Sequence, residues 1–315
     1  MKTYFSVFKI NPRPSPRSRY TTPMRLSLLP PLRVHCWGGL GSQLFAWALF
    51  EDLKIKYPKR KMRLILHQSG VTKRTEEIAG FFPGEWLIRA DYVYSNKVAQ
   101  ISDSSLVLAL TNSIRNRLVS LLYGLKLFSN CDTDTNLVSV KFWTMQIRGH
   151  YSYRGISSAT VAAMDTRARF YSRVLVMSSE AINKSIAVQY RLGDLLTLGT
   201  KGPIHSARII SAIRLINGSH EISKVSIFSD SPDEALNRLN CFAIEPVREM
   251  SAWDTLCNLQ LFQYFISTNS KISIWTILIR VHYSPNLVNF APQEFEHQFN
   301  CNLPVGNQAS AIRYY

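Results

Sequence analysis

The chain has 315 residues, of which 46% are hydrophobic, so it carries enough apolar surface to build two compact domains. This composition excludes a protein that is disordered throughout. The formal net charge of +16 predicts an anionic partner, which charge alone leaves open between nucleic acid, an anionic lipid surface and a phosphate-bearing substrate.

Residues 1–30 are rich in basic residues and proline, and we expect a disordered basic arm. No apolar core of about 7–15 residues follows, so a signal peptide is not predicted. From Met24 onward the sequence shows a more regular pattern of apolar residues. The alternative to a basic arm is therefore that the first stretch is a mis-annotated start and has no role. No apolar stretch reaches the roughly 18 residues that cross a bilayer, and the scattered cysteines lack a CxxC pair. We therefore expect a soluble, cytoplasmic protein of bacterial type.

The first predicted element is the strand Leu32–Trp37, which ends at a glycine-rich turn. A helix over residues 43–57 follows the turn. Further elements are a strand over Met62–His67, a strand over residues 106–110 and a helix over residues 113–128. Together they predict an N-terminal α/β domain at residues 31–160.

The second half of the chain predicts a longer alternation of helices and strands. The predicted helices cover residues 162–184, 205–216, 233–239, 254–262 and 273–281, and the predicted strands cover residues 185–190, Lys224–Phe228 and residues 264–267. Such alternation is typical of parallel strands joined by crossover helices. We place a C-terminal α/β domain at residues 161–300 and a tail at residues 301–315.

The turn after the first strand reads GGLGSQ, from Gly38 to Gln43. Glycine lets backbone N–H groups and a helix N-terminus approach an anion or a sugar hydroxyl, so Gly39, Gly41 and Gln43 are candidate ligand contacts. The turn lacks the third glycine of a dinucleotide fingerprint and the lysine of a phosphate-binding P-loop, and neither is predicted. A purely structural turn is the alternative.

The segment QYRLGD, from Gln189 to Asp194, follows the end of a predicted strand, where open α/β sheets place their ligands. The guanidinium of Arg191 can bind two phosphate oxygens at once, and this contact strengthens as a leaving diphosphate gains charge. The alternative is a structural pair between Arg191 and Asp194.

Two later strand ends also carry polar side chains. Ser229 and Asp230 follow the predicted strand Lys224–Phe228. A carboxylate at this position can accept hydrogen bonds from the N1–H and 2-amino groups of guanine. Helix capping is the alternative. The segment STNSKIS leads into the last predicted helix, where hydroxyls, N–H groups and an ammonium can hold a diphosphate. Its candidate residues are Asn269, Ser270, Lys271 and Ser273. Ordinary capping is again the alternative.

The four segments resemble, in order and spacing, motifs of the α-1,2-fucosyltransferases of glycosyltransferase family 11. Residues 38–48 read GGLGSQLFAWA, similar to the family's GGLGNQLFQYA, with Ser42 at the asparagine position. Residues 189–195, QYRLGDL, resemble HVRRGDY, with Gln189 replacing the histidine and Leu192 the second arginine. Residues 228–231 resemble FSDD, and residues 268–275, TNSKISIW, resemble SNSTFSWW with Lys271 at a hydroxyl position.

The resemblance implies a GT-B architecture, in which two Rossmann-like α/β domains face each other across a cleft. The N-terminal domain would hold the acceptor and the C-terminal domain the GDP-sugar, without a required metal or other cofactor. The implied reaction is inverting transfer of L-fucose from GDP-β-L-fucose to a hydroxyl, O-2 of galactose in this family. Arg191 would stabilise the leaving GDP, and Asp194 is a candidate base from its position alone. Residues 1–30 and 301–315 lie outside the resemblance.

Three alternatives remain open at this stage. The departures at Gln189 and Leu192 also fit a catalytically impaired relative that retains GDP-sugar binding. A basic nucleic-acid-binding protein fits the charge. No recognised nucleic-acid-binding motif is present, however, and we expect no nucleic-acid partner. Asp132 and Asp134 form a DxD pair without an apolar strand before it, so we expect a solvated turn rather than a metal site. The expected acceptor is a glycan or a lipid-linked saccharide, with peripheral contact to the anionic inner membrane face.

Overall fold

The computed structural model describes residues 30–67, 77–82, 87–90, 117–118, 121–122, 125–131, 140–149, 151–171, 184–196, 202–240, 244–248, 250–283, 286–303 and 311–315. The predicted arm, the predicted strand at 106–110 and the pair Asp132 and Asp134 lie outside these residues. Of the helices in the described ranges, none has the length and apolar character needed to cross a bilayer.

The first domain is built on a five-stranded parallel sheet with the order β3-β2-β1-β5-β4. Its strands are β1 (Leu32–Trp37), β2 (Met62–His67), β3 (Leu87–Ala90), β4 (Phe128–Cys131) and β5 (Gln146–Gly149). Helix α1 (Leu40–Lys56) begins directly after β1 and packs on β1 and β2. The central strand β1 is buried on both faces because helices cover the sheet, which explains its nearly continuous apolar run.

The second domain is built on a six-stranded parallel sheet with the order β11-β10-β9-β6-β7-β8. Its strands are β6 (Ser185–Gln189), β7 (Lys224–Phe228), β8 (Ile244–Val247), β9 (Tyr264–Ile266), β10 (Val288–Ala291) and β11 (Ile312–Tyr314). The helices from the domain junction onward are α2 (Ser158–Tyr171), α3 (Ser206–Ser219), α4 (Pro232–Arg238), α5 (Ala252–Asn258), α6 (Lys271–Tyr283) and α7 (Glu296–Asn302). The strand order reverses at β6, since β7 lies on one side of it and β9 on the other. In open parallel sheets, ligands bind outside the carboxyl ends of strands at such a point.

One hydrophobic cluster spans both domains, and a second lies within the second domain. Helix α6 packs against α1, α2 and α5, and the ring of its buried Trp275 lies 5.1 Å from that of Phe45 on α1. Helix α7 returns to the first domain, where the amide of Asn302 donates to the carbonyls of Ser152 and Arg154 at 3.0 and 2.8 Å. The predicted architecture, two Rossmann-like α/β domains facing across a cleft, is confirmed.

The predicted strands Leu32–Trp37, Met62–His67 and Lys224–Phe228 have the observed bounds, whereas some other predictions differ. The helix predicted over 162–184 is α2, which begins at Ser158 and is described up to Tyr171. Of the helix predicted over 113–128, short helical pieces at 117–118 and 121–122 are described, and β4 begins at its last residue. The predicted tail at 301–315 is wrong for its last residues, because β11 pairs with β10 as the edge of the sheet.

Candidate active site

A cavity of about 690 Å³ opens between the two sheets, at the carboxyl ends of their strands. The first domain contributes the turn from Gly38 to Ser42 and, further along the chain, Glu77. The second domain contributes residues that follow β6, β7, β8 and β9. Loops from both sides of the strand-order reversal therefore meet in one place.

The first turn of α1 forms one wall of the cavity. Gly38 adopts a φ of 95°, which favours glycine, and α1 then begins at Leu40 after the N-cap residue Gly39, which provides no side-chain cap. A Cβ on Gly41 would lie 2.6 Å from the Cβ of Lys271, so only glycine permits this approach of α1 to α6. The N-termini of two helices thus face the same cavity, and their dipoles favour an anion there.

Gln43 lies beneath this turn and is not among the residues that line the cavity. Its amide nitrogen donates to the carbonyl of Gly38 at 3.0 Å. Its amide oxygen accepts from the backbone N–H groups of Glu77 and Ile78, each at 3.1 Å. The sequence predicted that Gln43 contacts the ligand, whereas the structure gives it a positioning role under both first-domain segments.

Hydrogen bonds join the loops after β6 and β9. The backbone N–H of Arg191 donates to the hydroxyl of Thr268 at 3.1 Å, and that hydroxyl donates to the carbonyl of Gln189 at 2.7 Å. The side chain of Gln189 donates to the hydroxyl of Ser270 at 3.4 Å and accepts from the buried hydroxyl of Ser273. The loop that carries Arg191 is therefore fixed against the start of α6.

Asp230 supports the Arg191 loop from the side of β7. Its Oδ1 atom accepts from the backbone N–H groups of Leu192 and Gly193, at 2.8 and 3.1 Å. Leu192 itself is fully buried in the core of the second domain, so this position brings no charge to the cavity. Asp230 is exposed and lines the cavity. Its contact with guanine stays a prediction.

Lys271 joins the two domains across the cavity. Its Nζ donates to the hydroxyl of Ser42 at 2.9 Å. Burial lowers the pKa of Lys271 below its usual range, the Cys36 thiol acts in the opposite direction, and the guanidinium of Arg191 lowers the pKa further. Two cationic side chains therefore lie within electrostatic reach of each other, and a bound anion would relieve their repulsion.

Of the candidate residues named from the sequence, eight line the cavity: Gly39, Gly41, Gln189, Arg191, Ser229, Asp230, Ser270 and Lys271. Asn269 and Ser273 do not line it, and Ser270 also caps α6 by accepting from the N–H of Ile272 at 3.2 Å. Asp194 lies in the short turn Gly193–Leu196 directly after Arg191. The described residues contain no group of three or more His, Cys, Asp or Glu side chains arranged to hold a metal ion.

Sequence reasoning missed the part of the cavity around β8, as well as Glu77. Val247, Met250 and Ala252 supply apolar surface, and Arg248 adds a third cation whose guanidinium pairs with Asp233 at 2.6 Å. The strand β8 reads IEPV, a short pattern with a charge and a proline that no periodicity rule recognises as a strand. Glu77 carries no motif, so no sequence signal identifies it.

No protein-family model matches the chain, and no curated protein matches it. Among solved structures, it is similar to E. coli heptosyltransferase WaaC with ADP, at 12% identity and a TM-score of 0.45 over 90% of this chain and 92% of that chain. It is also similar to NodZ α-1,6-fucosyltransferase soaked with GDP-fucose, at 12% identity and a TM-score of 0.40 over 81% and 93%. A third similar structure is S. aureus MnaA with UDP, at 9% identity and a TM-score of 0.42 over 89% and 86%. With TM-scores this low, donor, acceptor and reaction have to be argued from the site itself.

Proposed function

We propose that this chain is an inverting glycosyltransferase that moves L-fucose from GDP-β-L-fucose to a hydroxyl of a glycan, O-2 of a galactose. The observation that carries the proposal is the meeting of Arg191, Lys271 and two helix N-termini at one cavity between two parallel sheets. This arrangement suits a diphosphate, because both helix termini and both cations favour negative charge.

The same groups explain how the reaction would be accelerated. When the bond between the sugar and the β-phosphate breaks, negative charge grows on that phosphate. Arg191 and Lys271 then bind the phosphate more strongly in the transition state than in the ground state, and only such differential binding raises turnover. Since both loops are held by hydrogen bonds to Thr268, Gln189 and Ser42, little reorganisation is needed during the reaction. We propose that the reaction needs no metal.

The nucleobase would lie on the apolar surface formed by Val247, Met250 and Ala252. Asp230 borders the same cavity and offers a carboxylate to the N1–H and 2-amino groups of guanine, which adenine and the pyrimidines do not present together. This contact would favour GDP over ADP and UDP. The acceptor would be a glycan or a lipid-linked saccharide, and the excess basic charge would hold the protein at an anionic membrane.

The proposal is tested with a panel of GDP-, UDP- and ADP-sugars, with nucleotide release measured with and without simple galactosides. Release that requires GDP-fucose is the expected result. Arg191→Ala should lower turnover by about 10²–10³-fold, as removal of one transition-state donor does. Arg214→Ala, on the exposed face of α3, is the matched control and should leave turnover unchanged.

Two results would contradict the proposal. One is an Arg191→Ala variant that turns over as fast as the Arg214→Ala control. The other is tight binding of RNA that falls steeply with salt and ignores GDP, which would favour the nucleic-acid alternative.

A further inference from the structure

The proposed mechanism lacks a group that accepts the proton of the acceptor hydroxyl. Among the described residues that line the cavity, two carry carboxylates, Glu77 and Asp230. They come from opposite domains. An inverting displacement brings the acceptor oxygen to the anomeric carbon from the side opposite the leaving group. The base must therefore face the wall that holds the diphosphate.

Asp230 does not meet this requirement. It belongs to the second domain, as do Arg191 and the start of α6, and its Oδ1 atom already accepts two backbone N–H groups of the Arg191 loop. Asp194 follows Arg191 by three residues, and its backbone lies in the same second-domain loop. The carboxylate of Asp230 is thus tied to the wall that would hold the leaving group.

The histidines of β1 and β2 do not line the cavity either. His35 and His67 are buried, and Nδ1 of His35 lies 2.8 Å from Nε2 of His67, so the two rings are joined by a hydrogen bond. Burial lowers the pKa of His35 to about 3, with the neighbouring His67 as the next cause. This pair of histidines lies in the interior of the first domain.

Glu77 does meet the requirement. It precedes the short helical turn Ile78–Gly80, and its backbone N–H is held by the same Gln43 amide that binds the carbonyl of Gly38. The ring of Phe81, just after this turn, stacks on that of Trp253 in α5 at 4.0 Å. The segment that carries Glu77 is therefore anchored to the glycine turn on one side and to the second domain on the other.

We propose that Glu77 is the general base of the transfer reaction, an inference that rests on the proposed function. The carboxylate takes the proton from the acceptor hydroxyl while the oxygen's electron pair forms the new bond to the anomeric carbon. The bond between that carbon and the β-phosphate oxygen breaks, and its electron pair leaves with GDP. Glu77 then releases the proton to solvent. Gln43 is a positioning residue for this base.

The test compares the full-length wild type with Glu77→Gln and with Glu51→Gln, whose carboxylate pairs with Lys54 on α1 away from the cavity. GDP affinity is measured by calorimetry, and turnover is measured as GDP released from GDP-fucose, with lactose and with water alone as acceptors. Glu77→Gln should lower turnover with either acceptor by roughly 10²–10⁴-fold while GDP affinity stays at the wild-type value. Formate should restore part of the turnover of Glu77→Ala.

The outcomes separate this inference from the proposed function. If the wild type neither binds GDP nor releases it from GDP-fucose, the proposed function fails and the role of Glu77 with it. If the wild type is active and Glu77→Gln keeps more than about a tenth of that turnover, the inference alone is overturned. A parallel loss of GDP affinity in Glu77→Gln also overturns it, because the side chain would then act in donor binding rather than in proton transfer.

Discussion

Lys271 provides the sharpest prediction, because its ammonium is already positioned and partly stripped of water before any ligand binds. Burial holds its pKa below the usual range of lysine, and Arg191 adds to this effect. A diphosphate favours the charged form of the side chain. GDP affinity should therefore be constant while Lys271 is charged and should fall as the pH rises through its depressed pKa.

The expected size follows from the contact that is lost. A charge-assisted hydrogen bond contributes about 1.5–3 kcal/mol, which corresponds to a roughly 10- to 150-fold change in a dissociation constant. Lys271→Met keeps the apolar stem and removes the ammonium, so GDP should bind weaker by a factor in this range. The alkaline loss of affinity should disappear in the variant. Cys36 does not confuse the measurement, since burial raises the pKa of its thiol to about 12.

Calorimetric titration of GDP between neutral and alkaline pH measures both effects. Lys224→Met is the control, because Lys224 pairs with Glu245 at the surface of β7 and β8. Equal GDP affinity in Lys271→Met and Lys224→Met would refute the assignment of Lys271 to the diphosphate. An alkaline loss of affinity that persists in Lys271→Met would show that another group titrates.

Two further predictions concern packing. Gly41→Ala places a Cβ against Lys271 and should destabilise the protein by about 1–3 kcal/mol and weaken GDP binding, whereas Gly218→Ala, with nothing within 4 Å of the added atom, should do neither. Equal melting temperatures for the two variants would contradict the close approach of α1 and α6. Arg280 is fully buried and donates to the carbonyls of Leu259, Phe262 and Gln263, so Arg280→Ala should lower the free energy of unfolding by at least about 3 kcal/mol. Urea denaturation against Arg214→Ala measures this loss, and a smaller loss would mean that water replaces the guanidinium.

The sequence predicts those elements whose local pattern coincides with their place in the fold. The strands β1, β2 and β7 are central or next to the centre of their sheets, so their apolar runs are long, and β1 and β7 are followed by glycine and by Ser-Asp. The edge strands β8 and β11 have only one paired side each and tolerate charge and proline, and neither is predicted. Edge strands are specified by the neighbour they pair with, which local periodicity does not record.

The candidate site divides in the same way. Arg191 and Lys271, predicted because each follows a strand at the sheet edge where open sheets bind ligands, line the cavity. The position of Gln43 in α1 is predictable from the sequence, but its hydrogen bond to the backbone of Glu77 joins residues 34 positions apart and leaves no local signal. Glu77 and Arg248 enter the cavity only through tertiary packing. Motifs at strand ends therefore identify the second-domain wall of the cavity, while the first-domain wall around Glu77 requires coordinates.

Two of the positions at which the chain departs from the motifs it resembles are in direct contact, since the ammonium of Lys271 binds the hydroxyl of Ser42. A third departure, Leu192, is buried in the second-domain core. A cation absent from position 192 is thus matched by a cation at position 271, and the serine at position 42 supplies the acceptor that holds it. In the proposed site, the second cation therefore lies at the start of α6 rather than in the β6 loop, and the hydroxyl of Ser42 holds it in place.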